Sequence, residues 1–263
     1  MSARAPLVRL EQLALPDRVR SALSLVISQM RHQETLLHDW GLRETVPYGR
    51  GLALLFYGPP GVGKTACAEA LAHELGKRII VADYSAIQGK YVGETEKAVV
   101  AAFQEASRSD AVLFWDEADA MFFDRDMATV TWEVRDVNVL LQEVERFPGL
   151  CILSTNRKVA LDKDLERRIA VKIEFQRPDR NPRRMIWEKL LPKKMPLAGD
   201  VDLDRLAAAD LSGAEIKNVV LNAARRALTR SDRGPVKMED FEEALRLEKG
   251  SDAVGGERIG FGR

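Results

Sequence analysis

The stretch Gly58-Pro59-Pro60-Gly61-Val62-Gly63-Lys64-Thr65 decides the fold of this chain. It fits the phosphate-binding pattern G-x-x-x-x-G-K-[ST], and the apolar run Leu52–Tyr57 before it predicts a buried strand. The segment Ala66–Leu75 after it is rich in Ala, Glu and Leu and predicts a helix. Because glycines let backbone N–H groups face phosphate oxygens at a helix start, the sequence predicts a nucleotide-binding loop. The alternative, a glycine-rich turn that binds nothing, is disfavoured by this strand–loop–helix context.

The side chains of this loop and an acidic pair downstream divide the expected chemistry between them. We expect the loop backbone through Ala66 to bind the phosphates of a nucleotide, with Lys64 at the β- and γ-phosphates and Thr65 as a Mg²⁺ ligand. A second apolar run ends in Asp116 and Glu117. Beside such a loop, Asp116 is expected to hold Mg²⁺ through its water shell and Glu117 to polarise the attacking water. Taken alone, an acidic pair after a strand is more often a solvated strand end.

A third apolar run, Leu150–Ser154, ends in Thr155 and Asn156. An amide side chain at a strand end beside the γ-phosphate can orient the lytic water or sense the terminal phosphate. By itself an Asn in this position is a turn residue. The functional interpretation of Asn156 depends on its strand lying in the same sheet as the other two.

Together these segments resemble the AAA+ ATPases, and more narrowly their protein-remodelling AAA clade, over roughly residues 45–248. The triplet Tyr91-Val92-Gly93 resembles the first pore loop of that clade, and Arg167 and Arg168 resemble its arginine fingers. The segment Ser212–Asn218 resembles the lid helix of the same clade, and its turn Gly213-Ala214-Glu215 lacks the arginine that many other AAA+ proteins carry there. The chain is also similar to bacterial AAA proteins, some of them associated with phage-tail-like contractile injection machines, in the segments Trp40-Gly41-Leu42, Pro47–Gly51 and Lys90–Glu96.

The resemblance implies an α/β fold, a P-loop NTPase core with a parallel five-stranded sheet in the order 5-1-4-3-2 and a small C-terminal α-helical lid domain. Strands that alternate with helices independently predict a parallel sheet covered on both faces. The expected divisions are an N-terminal helical linker at 1–44, the nucleotide-binding domain at 45–178, the lid at 179–249 and a flexible tail at 250–263.

The resemblance also implies partners. Tyr91 and Val92 would grip a polypeptide in a central pore, whereas the alternative is an aromatic side chain packed on its own domain. The region Phe122–Trp132 is either a second pore loop or packing. Arg167 and Arg168 would reach the γ-phosphate bound by the next subunit, or else they are surface arginines at a helix end. Fingers acting in trans would require a homo-oligomer, and the family implies a hexameric ring.

Composition limits the other classes of function. The chain has 263 residues, with 40 basic and 40 acidic side chains, so its zero net charge gives no electrostatic case for nucleic acid. No apolar stretch approaches the roughly 18–20 residues that span a bilayer, and no signal-peptide pattern is present. Two cysteines, Cys67 and Cys151, fall in predicted core elements and indicate a reducing, cytoplasmic location.

The sequence therefore predicts a ring-forming motor that hydrolyses ATP with Mg²⁺ and remodels, unfolds or disassembles protein partners. Two alternatives stay open: a DNA-associated AAA+ ATPase, such as a loader or transposition regulator, and a nucleotide-gated assembly scaffold. Only 57 residues precede Gly58, which is too few for a large substrate-recognition domain. We expect either that an adaptor delivers the substrate or that the chain is part of a longer protein.

Overall fold

The chain forms two compact units, Met1–Gln176 and Arg177–Arg263. The computed structural model describes residues 1–46, 49–87, 94–118, 131–157, 163–230 and 234–254. In these parts of the chain, no helix is both long enough and apolar enough to cross a bilayer.

The first unit is built on one parallel sheet. Its strands are β1 (Leu52–Tyr57), β2 (Arg78–Asp83), β3 (Ala111–Asp116), β4 (Leu150–Thr155) and β5 (Val171–Glu174). They pair in the order β2-β3-β4-β1-β5, and every pair is parallel. This confirms the expected order 5-1-4-3-2 read from the other edge. Since β1 lies beside β4 and β4 lies beside β3, the carboxyl ends of the three strands that carry the predicted site are neighbours.

The helices of this unit cover both faces of the sheet. They are α1 (Asp17–Arg31), α2 (Leu42–Thr45), α3 (Lys64–Glu74), α4 (Tyr84–Ile87), α5 (Glu94–Arg108), α6 (Thr131–Arg146) and α7 (Lys163–Arg168). On one face Leu55 and Leu113 share a buried cluster with side chains of α5 and α6. On the other face Phe56 and Phe114 pack with α1 and α3. Burial on both faces explains why β1, β3 and β4 are continuous apolar runs, whereas the edge strand β5 alternates apolar and charged residues.

The segment before β1 is more ordered than its sequence indicates. The periodic apolar residues after Asp17 predict one long helix or a broken pair, and the structure has α1 followed by a π-helical turn, Thr35–Asp39. Residues 1–16 are expected to be irregular, yet Arg4 exchanges two backbone hydrogen bonds with Ile79 of β2, each 2.9 Å long. Ala3 beside it is only 5% exposed. The chain start therefore lies along the edge strand of the sheet.

In the part of the second unit that the structure describes, helices are joined by loops, and the β structure is one isolated bridge between Leu197 and Val236. Its helices are α8 (Arg180–Leu190), α9 (Leu203–Ala207), α10 (Gly213–Thr229) and α11 (Met238–Val254). Their core includes Trp187 and Phe241, whose rings meet edge to face at 5.9 Å.

The start of α10 and the end of α11 can be compared with what the sequence predicts for them. Ser212 and Glu215 form a reciprocal capping box at the start of α10, as the spacing predicts. The last helix, α11, continues to Val254 and so includes the beginning of the segment expected to be a tail from Gly250. A single glycine weakens a helix by only about 1 kcal/mol, so Gly250 does not have to end it.

Candidate nucleotide site

The predicted phosphate loop connects β1 to α3, and its glycines have backbone conformations that residues with side chains rarely adopt. Gly58, Gly61 and Gly63 have φ values of 141°, 75° and 97°. A Cβ atom on Gly58 would lie 1.9 Å from the carbonyl oxygen of Phe175, whereas one on Gly63 would meet nothing within 4 Å. Gly58 is thus required by close packing and Gly63 by its backbone conformation. Gly63 is also the N-cap of α3, whose first N–H groups have no partners within the helix and can bind an anion.

Lys64 lies at the centre of the site. It is only 6% exposed, and its ammonium group donates to the carbonyl oxygens of Gly58 and Pro59 at 2.7 and 2.9 Å. It also donates to the Oδ1 atom of Asn156 at 2.8 Å. The three acceptors match the three protons of an ammonium group. The side chain is therefore held inside the loop, where a cation can meet phosphate oxygens.

The hydroxyl of Thr65 is joined to the end of β3. Its Oγ1 atom lies 3.0 Å from Oδ2 of Asp116, and the other carboxylate oxygen of Asp116 accepts a hydrogen bond from the backbone N–H of Glu117 at 3.1 Å. A hydroxyl and a carboxylate are oxygen donors of the kind that Mg²⁺ prefers. The residues present therefore fit a magnesium site. Thr65 and Asp116 are the two residues that the sequence predicts as Mg²⁺ ligands.

Glu117 is exposed and adopts an unusual backbone conformation. Its φ is 51°, one of two positive values among the non-glycine residues that the structure describes, the other belonging to Asp110. A left-handed conformation costs a non-glycine residue about 1–2 kcal/mol. Strain of this kind concentrates at functional sites, where it directs a side chain that ordinary geometry would turn elsewhere. The backbone at Glu117 therefore differs from that of an ordinary strand end, and its role as the residue that polarises the attacking water stays a prediction.

Asn156 completes the cluster from β4. The preceding residue, Thr155, accepts the backbone N–H of Gly58 at 3.2 Å, so the third strand end is fastened directly to the loop. The Thr155 hydroxyl accepts the backbone N–H of Arg157 at 3.1 Å, which shapes the turn that presents Asn156. Nothing in the sequence indicates the bond from Asn156 to Lys64, because it depends on the pairing of β1 with β4.

The two predicted fingers have different surroundings. Both lie in α7, where Arg167 is exposed and Arg168 is half-buried. Arg168 donates through Nη2 and Nε to Oε2 of Glu145 at 3.0 and 3.3 Å and through Nη1 to the carbonyl oxygen of Asp164 at 2.8 Å. Glu145 is a residue that sequence reasoning missed, because an acidic residue near the end of a helix carries no distinctive pattern.

Other predicted residues lie outside the described residues or have a structural role. The pore-loop residues Tyr91, Val92 and Gly93 and the aromatic pair Phe122-Phe123 lie outside the described parts of the chain.

Cys67 follows the loop in α3, and burial raises the pKa of its thiol to about 12. It is therefore protonated at neutral pH and packs as a small apolar side chain.

Comparisons with known proteins agree with this geometry. A model of the ATPase family associated with various cellular activities (AAA) matches residues 54–177, and a model of the AAA+ lid domain matches residues 200–243. The chain is 35% identical over 205 residues to the 26S proteasome regulatory subunit 6B homolog of Dictyostelium discoideum, covering 73% of this chain and 50% of that protein.

Two further relatives show a similar level of identity. Proteasome-activating nucleotidase 1 of Halobacterium salinarum is 33% identical over 223 residues, which cover 80% of this chain and 54% of that protein. The cell division cycle protein 48 homolog of Archaeoglobus fulgidus is 36% identical over 219 residues, which cover 73% of this chain and 30% of that protein. The chain therefore spans about half the length, or less, of these curated relatives.

Proposed function

The chain belongs to the AAA family of ATPases, and on that premise we propose that it hydrolyses ATP with Mg²⁺ and uses the energy to remodel protein partners. The observation that supports this most directly is the meeting of three strand ends in one cluster. Lys64 contacts Asn156 at 2.8 Å, and Thr65 contacts Asp116 at 3.0 Å. A glycine-rich turn that binds no ligand would not require an ammonium, an amide, a hydroxyl and a carboxylate to lie together at its end.

Each residue of the cluster has a distinct role in this proposal. The N–H groups at the start of α3 and the ammonium group of Lys64 bind the phosphates. Thr65 and Asp116 hold Mg²⁺, which supplies charge neutralisation at the phosphate oxygens when bound. Glu117 accepts a proton from the attacking water, and Asn156 orients that water toward the γ-phosphate.

We further propose that the chain works as a hexameric ring. In this ring an arginine from α7 completes the active site of the neighbouring subunit. An arginine supplied in trans would make turnover depend on assembly. Tyr91 and Val92 would meet the polypeptide in the central pore. The names of two relatives refer to the proteasome, which acts on proteins, and they favour a protein substrate or adaptor over nucleic acid.

We place this activity in the cytoplasm. Cys67 and Cys151 are both free and buried, and burial raises the pKa of each thiol. Two unpaired buried thiols suit a compartment where cysteines stay reduced.

A substrate trap tests the proposed function. Glu117→Gln is expected to bind ATP without hydrolysing it and so to retain its client during purification from the native host. A matched double variant, Glu117→Gln with Lys64→Ala, should bind neither ATP nor client, which removes non-specific binding from the comparison. Half of each preparation is treated with nuclease before the retained molecules are identified.

The outcomes separate the candidate functions. A protein that survives nuclease treatment and is lost in a trap that also carries Tyr91→Ala would support a remodeller that engages its substrate in the pore. Nucleic acid in the trap, with proteins released by nuclease, would favour the DNA-associated alternative. Unchanged cellular function of Glu117→Gln would favour the nucleotide-gated scaffold.

A further inference from the structure

The two adjacent arginines of α7 face different surroundings, and this decides how they can act. Successive residues on a helix point about 100° apart, so neighbours in sequence do not share a face. Arg168 is turned toward α6, where Glu145 accepts two of its hydrogen bonds, and its side chain is 30% exposed. Arg167 lies on another face of α7 and is exposed.

The contacts of Arg168 leave it poorly suited to reach another subunit. Nε and Nη2 donate to the same carboxylate oxygen of Glu145, and Nη1 donates to the carbonyl oxygen of Asp164. All three nitrogen atoms of the guanidinium are therefore engaged within its own subunit. To bind a phosphate elsewhere, Arg168 would have to break a charge-assisted pair, which costs more than losing an ordinary hydrogen bond.

Arg167 has no such engagement. In the described part of the chain it forms no ion pair and no side-chain hydrogen bond, although its neighbour Glu166 pairs with Lys172. An exposed guanidinium without a partner among the described residues of its own subunit can bind the planar, charged γ-phosphoryl group held by another subunit without breaking those contacts.

We infer that the pair divides its work: Arg167 is the residue that enters the neighbouring active site, and Arg168 is a positioning residue that fixes α7 to α6 through Glu145. This inference rests on the proposed ring-forming ATPase and assigns roles within it. Because α7 is short, a tie near its C-terminus is what orients the face that carries Arg167.

Lysine substitutions distinguish the two roles. A lysine can still pair with one carboxylate, but it cannot reproduce bidentate contacts to a phosphoryl group. We therefore expect Arg168→Lys to keep kcat within about 3-fold of the wild type, while Arg167→Lys and Arg167→Ala lower kcat by about 100-fold or more, with ATP affinity changed little. Arg146→Ala, at an exposed arginine beside Glu145, serves as the matched control and should behave like the wild type.

Charge reversal tests the positioning role without relying on a single variant that could misfold. Arg168→Glu should lower kcat because it places two carboxylates together, and adding Glu145→Arg should restore most of the loss. Mixing Arg167→Ala with Glu117→Gln subunits should recover activity that neither has alone, since each supplies what the other lacks across one interface.

The possible results distinguish an error in the roles assigned to the two arginines from an error in the proposed ATPase function. If Arg168→Lys lowered kcat by about 100-fold while Arg167→Lys and Arg167→Ala stayed near the wild type, the assigned roles would be overturned while the ATPase proposal stood. Failure of the mixed subunits to recover activity would also overturn the action of Arg167 in trans. A wild-type protein that hydrolyses no ATP under any assembly condition would instead refute the proposed function itself.

Discussion

The ammonium group of Lys64 lies 2.8 Å from the amide oxygen of Asn156, and this contact joins the start of α3 to the end of β4. The two residues are 92 positions apart in the sequence. They meet because β1 and β4 are paired in register, with Tyr57 beside Thr155. The polar cluster is thus a direct product of the strand order.

Replacement of Asn156 with alanine should separate hydrolysis from binding. Lys64 keeps its contacts with the carbonyl oxygens of Gly58 and Pro59, so the affinity for ATP should stay within about 3-fold of the wild type. Loss of the amide that we propose orients the attacking water should lower kcat by about 10- to 100-fold. Steady-state ATPase assays and nucleotide titrations measure the two quantities. Arg157→Ala, at the exposed next residue, is the control, and an equal effect of both variants would contradict a specific role for Asn156.

The contact between Thr65 and Asp116 predicts a defect in the use of Mg²⁺. Thr65→Ala or Asp116→Asn removes an oxygen donor or its charge, and changes around a metal site commonly cost 10- to 100-fold in metal affinity, roughly. The Mg²⁺ concentration that gives half-maximal ATPase activity should therefore rise by about 10-fold or more in both variants. Thr65→Ser keeps the hydroxyl and should remain near the wild type. A Mg²⁺ dependence that was the same in all four proteins would exclude these residues as ligands.

The glycines of the loop should differ in what an added methyl group does. At Gly58 a Cβ atom would lie 1.9 Å from the backbone oxygen of Phe175, whereas at Gly63 it would meet nothing within 4 Å. Gly58→Ala should lower the free energy of unfolding by about 3 kcal/mol or more, from strain plus overpacking. Gly63→Ala should cost only about 1–2 kcal/mol, from its left-handed backbone alone. Urea unfolding of the two variants makes the comparison, and equal losses would show that the approach of Phe175 is not rigid.

The elements that sequence alone predicted are those with a local pattern. The run Leu52–Tyr57, the loop after it and the acidic end of β3 each carry their signal within a few residues. The strand order followed from the family resemblance that those motifs established, and the structure confirms it. Short local motifs therefore located the candidate site, and the family resemblance predicted the strand order that brings its residues together.

The features that sequence did not predict are polar contacts between distant residues. Arg168 pairs with Glu145 across 23 positions, and Arg4 pairs with Glu69 across 65. Neither pair has a spacing that could single it out, because each depends on the packing of two separately predicted elements. The same holds for the chain start, whose order comes from contacts with β2 and α3 rather than from any propensity of its own.

The attachment of the chain start at Glu69 predicts a specific pH dependence of stability. Burial acts to raise the pKa of Glu69, but hydrogen bonds from the Arg4 side chain and the Leu7 N–H, together with the charge of Arg4, outweigh it and hold the pKa below its ordinary value of 4.5. A carboxyl whose pKa is lower in the folded protein stabilises the fold above its unfolded pKa, and this contribution is lost as pH falls through the folded pKa. Glu69→Gln should therefore reduce the free energy of unfolding by about 1–2 kcal/mol at neutral pH and converge with the wild type as the pH falls below 4.5. Glu11→Gln, whose side chain is 75% exposed, should follow the wild type throughout. A difference between Glu69→Gln and the wild type that stayed constant over the whole pH range would show that the carboxylate charge does not hold the chain start in place.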